Sequence, residues 1–305
     1  MLLGRSMQNA SGDFFLLICA FLWGGTFSAI KLALDSSSPT LFLALRFGLA
    51  FLILLPFYFK KIRRPDKRTL AESVILGILL FASFETQMIG LKFTTATKSG
   101  FITGTFVIFT PLFQAIFERR MLDGRTILGV LIVVLGLFFI SAQENSAYEL
   151  LTVGNFNFGD FMTIICAVII SVYIIYLDRI SANHDPIFLT MIQVGITAFL
   201  ALGFTFIFDL GKIERAVFEI NLVSASALLY TSIFASVITT ILQTKYQRTV
   251  TPARASLLFS LEPVFSALVA YFLVGERLGA KGIAGAFLII AGILVSEVRF
   301  VKESS

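Results

Sequence analysis

The chain has 305 residues, 57% of them hydrophobic and only 14% charged, with a mean hydropathy of +0.91. A soluble domain carries about 25% charged residues, so a water-soluble fold is excluded and an integral membrane protein is expected. The net charge of +5 does not point to nucleic acid, because the Lys and Arg residues lie mostly in short segments between apolar runs, as membrane topology requires.

Ten apolar runs follow one another at approximately 13–33, 39–58, 70–90, 97–118, 126–142, 159–178, 186–208, 221–243, 253–274 and 281–298. Each is near the roughly 20 residues that a spanning helix needs. A bilayer core offers the backbone no water, so the runs must be helices, and the alternating pattern of a membrane barrel is missing. The expected fold class is an all-α integral membrane protein with ten transmembrane helices. The first run is too long for a signal-peptide core and no small-x-small cleavage site follows it, so it reads as a retained helix. Ser38-Pro39, Asp185-Pro186 and Thr251-Pro252 each place a capping side chain before a proline at the first helical position. With both termini in the cytoplasm, 16 of the 24 Lys and Arg residues fall inside and 7 outside, Arg46 being the remainder. That bias sets the expected orientation. Much of it comes from "KKIRRPDKR" at 60–68, a topology determinant next to anionic lipid.

The chain repeats itself. A shift of 147 residues lays Gly12, Asp13, Phe14, Ile18, Cys19 and Ala20 over Gly159, Asp160, Phe161, Ile165, Cys166 and Ala167. The same frame pairs Pro39 with Pro186 and Gly48 with Gly195. Further on, Phe81-Ala82-Ser83 meets Phe234-Ala235-Ser236, Pro111 meets Pro263, and Gly129 and Gly136 meet Gly285 and Gly292. Two five-helix repeats are expected, residues 1–145 and 146–305. Five is odd, so the second enters the membrane from the opposite side, a pattern of transporters with a midplane site.

Several stretches are familiar. "LWGGTFSAIKLAL…SPTLFLALRF", "GLKFTTATKSGFITGTFVIFTPLF", "GDFMTIICAVIISVYIIYLDRISANHDP" and "QRTVTPARASLLFSLEPVFSALVAYFLVGERLGAKGIAGAFLIIAGILV" resemble the drug/metabolite transporter superfamily, specifically its EamA-type members. The resemblance covers essentially the whole chain. Gly275-Glu276-Arg277 fits the family's run before a closing helix, whereas "ERRMLDGR" in the first half departs from it. The resemblance implies that the fifth and tenth helices are peripheral and that the first, third, fourth, sixth, eighth and ninth line a central cavity. It also implies secondary transport or export of small metabolites, often amino acids. Fold alone does not name a cargo.

Ionisable residues inside a membrane are functional candidates. At 1.5 Å per residue, Arg46 lies roughly 12 Å and Glu85 roughly 8 Å from the outer ends of their helices. A structural or gating ion pair between them is expected, with capture of a substrate carboxylate by the planar guanidinium as the alternative. In the repeat frame Arg46 aligns with Gln193. Glu262, before Pro263, has Gln193 as its expected partner, and a carboxylate away from water suits proton coupling. The competing role is packing against backbone freed at the proline. Pro111 and Pro263 are expected to kink the fourth and ninth helices at equivalent positions.

Trp23 lies mid-helix beside Gly24, Gly25 and Thr26, and its indole N–H needs a partner. It is expected to line the substrate cavity with Thr26, Thr86, Gln87, Thr103, Tyr173, Tyr230, Thr239 and Gln243, several of these serving as interhelical hydrogen bonds of about 0.6 kcal/mol. The Gly129/Gly136 and Gly285/Gly292 pairs are expected to pack helices. Cys19 and Cys166 lie in apolar runs and His184 in a polar loop, so no disulfide, metal or cofactor is expected. No P-loop, dinucleotide fingerprint, HExxH or CxxC occurs. The expected function is a secondary transporter of amino acids or related small solutes in the cell inner membrane, working by alternating access. The expected partners are a small-molecule substrate, membrane lipid and, as candidate coupling ions, protons. Nucleic acid is not among them, and the expected state is a monomer or weak oligomer. The alternatives are a facilitative uniporter or channel without proton coupling and, less favoured, a membrane-embedded enzyme.

Overall fold

The computed structural model describes residues 2–59, 66–119, 121–141, 156–274 and 279–297. Residues 60–65 of the basic stretch, the expected boundary at 145–146, Gly275-Glu276-Arg277 and residues 298–305 lie outside the described residues. The apolar runs form helices, and among the described residues there is no strand beyond one isolated bridge between Ser37 and Phe218. In chain order the helices are α1 (Leu2–Gly24), α2 (Thr26–Ala33), α3 (Pro39–Phe59), α4 (Lys67–Phe93), α5 (Ala96–Gly104), α6 (Phe106–Glu118) and α7 (Gly124–Ser141). Then come α8 (Phe158–Ser181), α9 (Pro186–Leu210), α10 (Leu222–Ser232), a π-helical turn (Ile233–Ile238), α11 (Thr239–Tyr246), α12 (Pro252–Phe259), α13 (Glu262–Val274) and α14 (Ala280–Glu297).

Among the described residues eight spans are long and apolar enough to cross a bilayer, and they coincide with the first eight runs of the sequence. The ninth run is divided into α12 and α13, and in the tenth the apolar stretch is the shorter Ala280–Ser296.

Helix starts follow the side chains available to cap them. Asp185 accepts from the backbone N–H groups of Ile187 and Phe188, with Pro186 opening α9, and Thr251 accepts from Arg254 N with Pro252 opening α12. Asp66 caps α4 through Thr69 N at 2.7 Å, and its bonds with Thr69 hold its carboxyl below the ordinary range. The expected Ser38 cap is not made. The Ser38 hydroxyl is taken by Val217, accepting from its N–H at 3.3 Å and donating to its C=O at 3.4 Å.

Of the interruptions expected at Pro111 and Pro263, the second falls just before its proline, at Ser260–Leu261, and the first lies at Thr105, six residues before Pro111. α6 runs on through Pro111, and Pro263 sits in the first turn of α13, where its missing N–H costs nothing. The breaks fall at Gly25, at Thr105 and at Ser260–Leu261. At each one a hydroxyl folds back on the carbonyl three residues earlier: Thr26 on Trp23 at 2.8 Å, Thr105 on Ile102 at 2.6 Å, Ser260 on Leu257 at 2.5 Å. Such back-bonding competes with the helix ladder and bends it.

Packing respects the repeat. α3 lies along α9, and α7 along α14, each helix against its own counterpart. α4 packs on α8 and α1 packs on α11, two contacts that exchange when the halves exchange. The contact between α7 and α14 is built on glycine. A Cβ on Gly129 or Gly136 would stand 2.6 or 2.7 Å from the carbonyl oxygen of Gly292 or Gly285. The converse holds at 2.6 Å for both. Lipid tails are as apolar as leucine, so close backbone approach, not burial of greasy surface, holds such a pair.

Gly136→Leu should therefore destabilise the bundle by about 1–3 kcal/mol, the usual cost of overpacking. The readout is a lower thermal midpoint in detergent. Gly48→Ala, where a Cβ meets nothing within 4 Å, should leave the midpoint unchanged or raise it.

Candidate substrate site

The largest fully buried side chain among the described residues is Arg46. It projects from α3, a helix of the first half, into the second half. Its Nε donates to Ser236 Oγ at 2.8 Å and its Nη2 to the Ala235 carbonyl at 3.2 Å. Both acceptors belong to the π-helical turn Ile233–Ile238, and such turns inside helices are frequent at functional sites. The same Ala235 carbonyl accepts from Trp23 Nε1 at 3.2 Å. Two phenyl rings complete the seat, with the guanidinium carbon 4.6 Å from the Phe84 ring centre and 5.2 Å from that of Phe47. Arg46 Nη1 is buried and has no hydrogen-bond partner.

Tyr230 and Glu262 lie within electrostatic reach of this guanidinium, and among the described residues no ion pair joins Glu262 to it. Tyr230 donates to the Leu22 carbonyl at 2.5 Å, and a Cβ on Gly25 would meet its hydroxyl at 2.9 Å. Trp23 packs edge-on against Phe259 with centroids 5.1 Å apart. Cys166 lies within reach of both Glu262 and Thr86. Thr26 and Thr86 are satisfied within their own helices, Thr86 on Ala82 at 2.7 Å. The structure therefore brings Trp23, Arg46, Tyr230 and Glu262 together from four helical segments, with Thr86 at the edge.

The pairings expected from the sequence are not formed. No ion pair joins Arg46 to Glu85. Glu85 accepts from Thr40 Oγ1 at 2.6 Å, near the start of α3. Arg46 is six residues further along that helix, roughly 9 Å of rise, and is held by Ser236. Gln193 bonds Tyr173 at 2.9 Å and Thr244 at 3.2 Å, not Glu262. Tyr173 and Gln193 belong to a second polar network with Thr190 and Thr244. Gln243 lies beside it, donating to Gln247 at 2.9 Å, which donates to the Ile174 carbonyl at 2.7 Å. These residues are buried and partnered, a structural seam between α8, α9 and α11. Gln87 is half-buried. Thr103 and Thr239 are buried with hydroxyls that lack partners.

Ser236, Phe47, Phe84 and Phe259 were not among the sequence candidates. Ser236 carried a signal, as the last residue of the Phe234-Ala235-Ser236 match. The rings had none among 34 phenylalanines. A separate groove of about 490 Å³, with Phe199, Leu202, Thr205, Phe206 and Asp209 in its wall, shares no residue with this cluster. Among the described residues no group of His, Cys, Asp and Glu is placed to hold a metal.

Eight apolar spans among the described residues make this a multi-pass membrane protein, and its family makes it a transporter. The chain belongs to the EamA-like transporter family, which matches residues 10–142 and 157–297, within the drug/metabolite transporter superfamily. A protein of Archaeoglobus fulgidus called "Uncharacterized transporter" is 31% identical over 295 residues, 97% of this chain and 88% of its own. "Uncharacterized transporter YyaM" of Bacillus subtilis is 24% identical over 95% of each chain. A crystal structure 18% identical in sequence shares the fold with a TM-score of 0.74, covering 94% of this chain and 96% of that one.

Ser236→Ala should strip Arg46 of its shorter bond and lower stability by about 1.5–3 kcal/mol, as for a hydrogen bond to a charged group. Ser232→Ala is the control, since that buried hydroxyl has no partner to lose. Thermal unfolding in detergent should separate the two.

Proposed function

We propose that the chain is a carrier of small organic solutes, such as amino acids or related metabolites, across the inner membrane of a prokaryote. It works by alternating access, with ten helices in two inverted repeats (residues 1–145 and 146–305) and both termini in the cytoplasm. It is a transporter and not an enzyme. The observation that carries this reading is the Arg46 guanidinium of the first half bound to Ser236 and Ala235 of the second, with Glu262 and the Trp23 ring beside it. An isolated charge of this kind in a membrane bundle marks a substrate or ion path. In this reading Trp23, Tyr230 and Thr86 shape the cavity. Thr26, Gln87, Thr103 and Thr239 stand at its edges, and Arg46 and Glu262 supply its charge.

Coupling to protons is the finer part of the proposal, with Glu262 as the group that carries the proton. A second reading is facilitated diffusion without coupling. It is favoured by the electrostatic reach of Arg46 to Glu262, because a nearby positive charge favours the ionised carboxylate, which has no proton to carry.

Purified protein in liposomes should give saturable flux, and preloaded substrate should drive counterflow. Flux that rises linearly to high concentration without counterflow would sink the carrier reading. Trp23 is the only tryptophan, so quenching of intrinsic fluorescence offers a way to find the cargo. Across an imposed pH gradient, Glu262→Gln should abolish gradient-driven accumulation while leaving counterflow. An unchanged response to the gradient would remove Glu262 from the coupling, and a protein that never responds to the gradient would be uncoupled.

A further inference from the structure

Among the ion pairs that join the halves of the chain, the repeat turns two into one another. Asp13 of α1 is held by Arg254 of α12, through Nε at 2.8 Å and through Nη2. Asp160 of α8 is held by Lys98 of α5 at 2.7 Å. Asp13 and Asp160 correspond at the 147-residue shift. Lys98 and Arg254 correspond at a shift of 156, which also superposes their capping residues Thr95 and Thr251 and carries Gly129 and Gly136 onto Gly285 and Gly292. Successive spans cross in opposite directions. Asp13 and Arg254, at the starts of the first and ninth runs, therefore share one end of the bundle. Lys98 and Asp160, at the starts of the fourth and sixth, share the other.

Each pair has a companion contact at its own end, again between halves. Beside Asp13 and Arg254, His184 Nε2 meets Glu72 Oε2 at 2.5 Å, and its Nδ1 meets Thr69 Oγ1 at 3.0 Å. At the opposite end, Ser38 N donates to the Val217 carbonyl at 2.8 Å, and Thr40 N to Glu214 Oε1 at 3.2 Å. The first contact joins the loop after the sixth run to the start of the third. The second joins the loop after the first run to the loop before the eighth. Exchange of the halves exchanges them.

The ends are not equally tight. The Asp160 side chain is fully buried and also accepts from Thr94 Oγ1 at 2.8 Å and Asn157 N at 2.9 Å. The Asp13 and Arg254 side chains keep 19% and 32% of their exposure. A surface pair contributes little, whereas a buried one broken on one side leaves an uncompensated charge.

We propose that Asp13–Arg254 and Lys98–Asp160 are the two latches of the transport cycle, each closing one end of the bundle and opened one at a time. The proposal rests on the carrier reading above. Both latches are closed in this structure. Opening the first parts α1 from α12, which carry Trp23 and Phe259. Opening the second parts α8 from α5, and so bares the side where Cys166 stands near Glu262.

The chain carries its own reporters. Cys19 lies six residues beyond Asp13 on α1, and Cys166 six beyond Asp160 on α8; both are buried. Full-length protein in liposomes would be treated with a small permeant methanethiosulfonate and each cysteine followed by mass spectrometry. Asp13→Asn should raise the rate at Cys19 several-fold and leave Cys166 unchanged. Lys98→Gln should raise the rate at Cys166 at least tenfold and leave Cys19 unchanged. Asp160→Asn, which keeps a short polar side chain at that buried helix start, serves if Lys98→Gln does not fold. Exchange of the charges, Asp13→Arg with Arg254→Asp, should restore the original Cys19 rate. If both cysteines respond together, if the wrong one responds, or if neither does, the pairs are not separate latches. Labelling needs no cargo, so that failure would leave the carrier reading to the counterflow assay.

Discussion

A guanidinium held away from water must be given its acceptors by the protein, and Arg46 obtains them only by reaching from the first half of the chain into the second. In a bilayer a charged side chain at the helix centre costs about 2.5–3.5 kcal/mol on insertion scales. That cost forces an arrangement on the neighbours. The eighth span turns π-helical beside it, and Ala235 and Ser236 of that turn accept its N–H groups. Trp23 uses the same carbonyl, so α1, α3 and the eighth span meet at one oxygen atom. Phe84 and Phe47 then cover the guanidinium with rings that attract a cation without hydrogen bonds. One polar group thus fixes the relative placement of the two halves where the cavity is proposed.

Much of the fold was legible because the membrane constrains sequences so strongly. Span length, the start caps at Asp185 and Thr251, and the glycine contact of α7 with α14 follow from rules that act within or between adjacent turns. The site was legible by residue type and not by partner. Trp23, Arg46, Tyr230 and Glu262 were singled out as polar groups at depth, and the structure brings them together. Their contacts depend on side-chain direction and helix rotation, which depth alone does not encode. Arg46 and Glu85 have similar depths, yet Thr40 draws Glu85 toward the start of α3 while Ser236 draws Arg46 across the bundle. The Phe47 and Phe84 rings were invisible for a different reason: in a chain with 34 phenylalanines, no single ring stands out.

The two halves share packing and differ in chemistry. Glycine meets glycine across α7 and α14 in a contact that maps onto itself when the halves are exchanged, and α3 lies along α9 in the same way. Arg46, however, corresponds to Gln193, and Gln193 is spent on Tyr173 and Thr244 in a buried seam. Trp23 corresponds at the same shift to Ile170. A duplicated scaffold can rock about its symmetric contacts with little change in their energy. The ion pairs at the two ends correspond across the repeat, whereas the polar groups around Arg46 do not.

The helix breaks show the same division. Sequence matching put the interruptions of the fourth and ninth helices at Pro111 and Pro263, whose alignment needs a shift of 152. The caps, ion pairs and glycines of those regions agree instead on 156, and at that shift Thr105 falls on Leu261, next to Ser260. At Ser260–Leu261 both act, since Ser260 folds back on Leu257 and Pro263 cannot donate to the Phe259 carbonyl, whereas the Thr105 break lies six residues before Pro111. The distinction matters for motion. A proline bend is permanent, since no rearrangement restores the lost N–H. A serine or threonine hydroxyl competes with a backbone N–H for one carbonyl, and it can release that carbonyl when the helix straightens. Breaks of that kind on the first, fourth and ninth helices suit the shape changes that the proposed transport cycle asks of those segments.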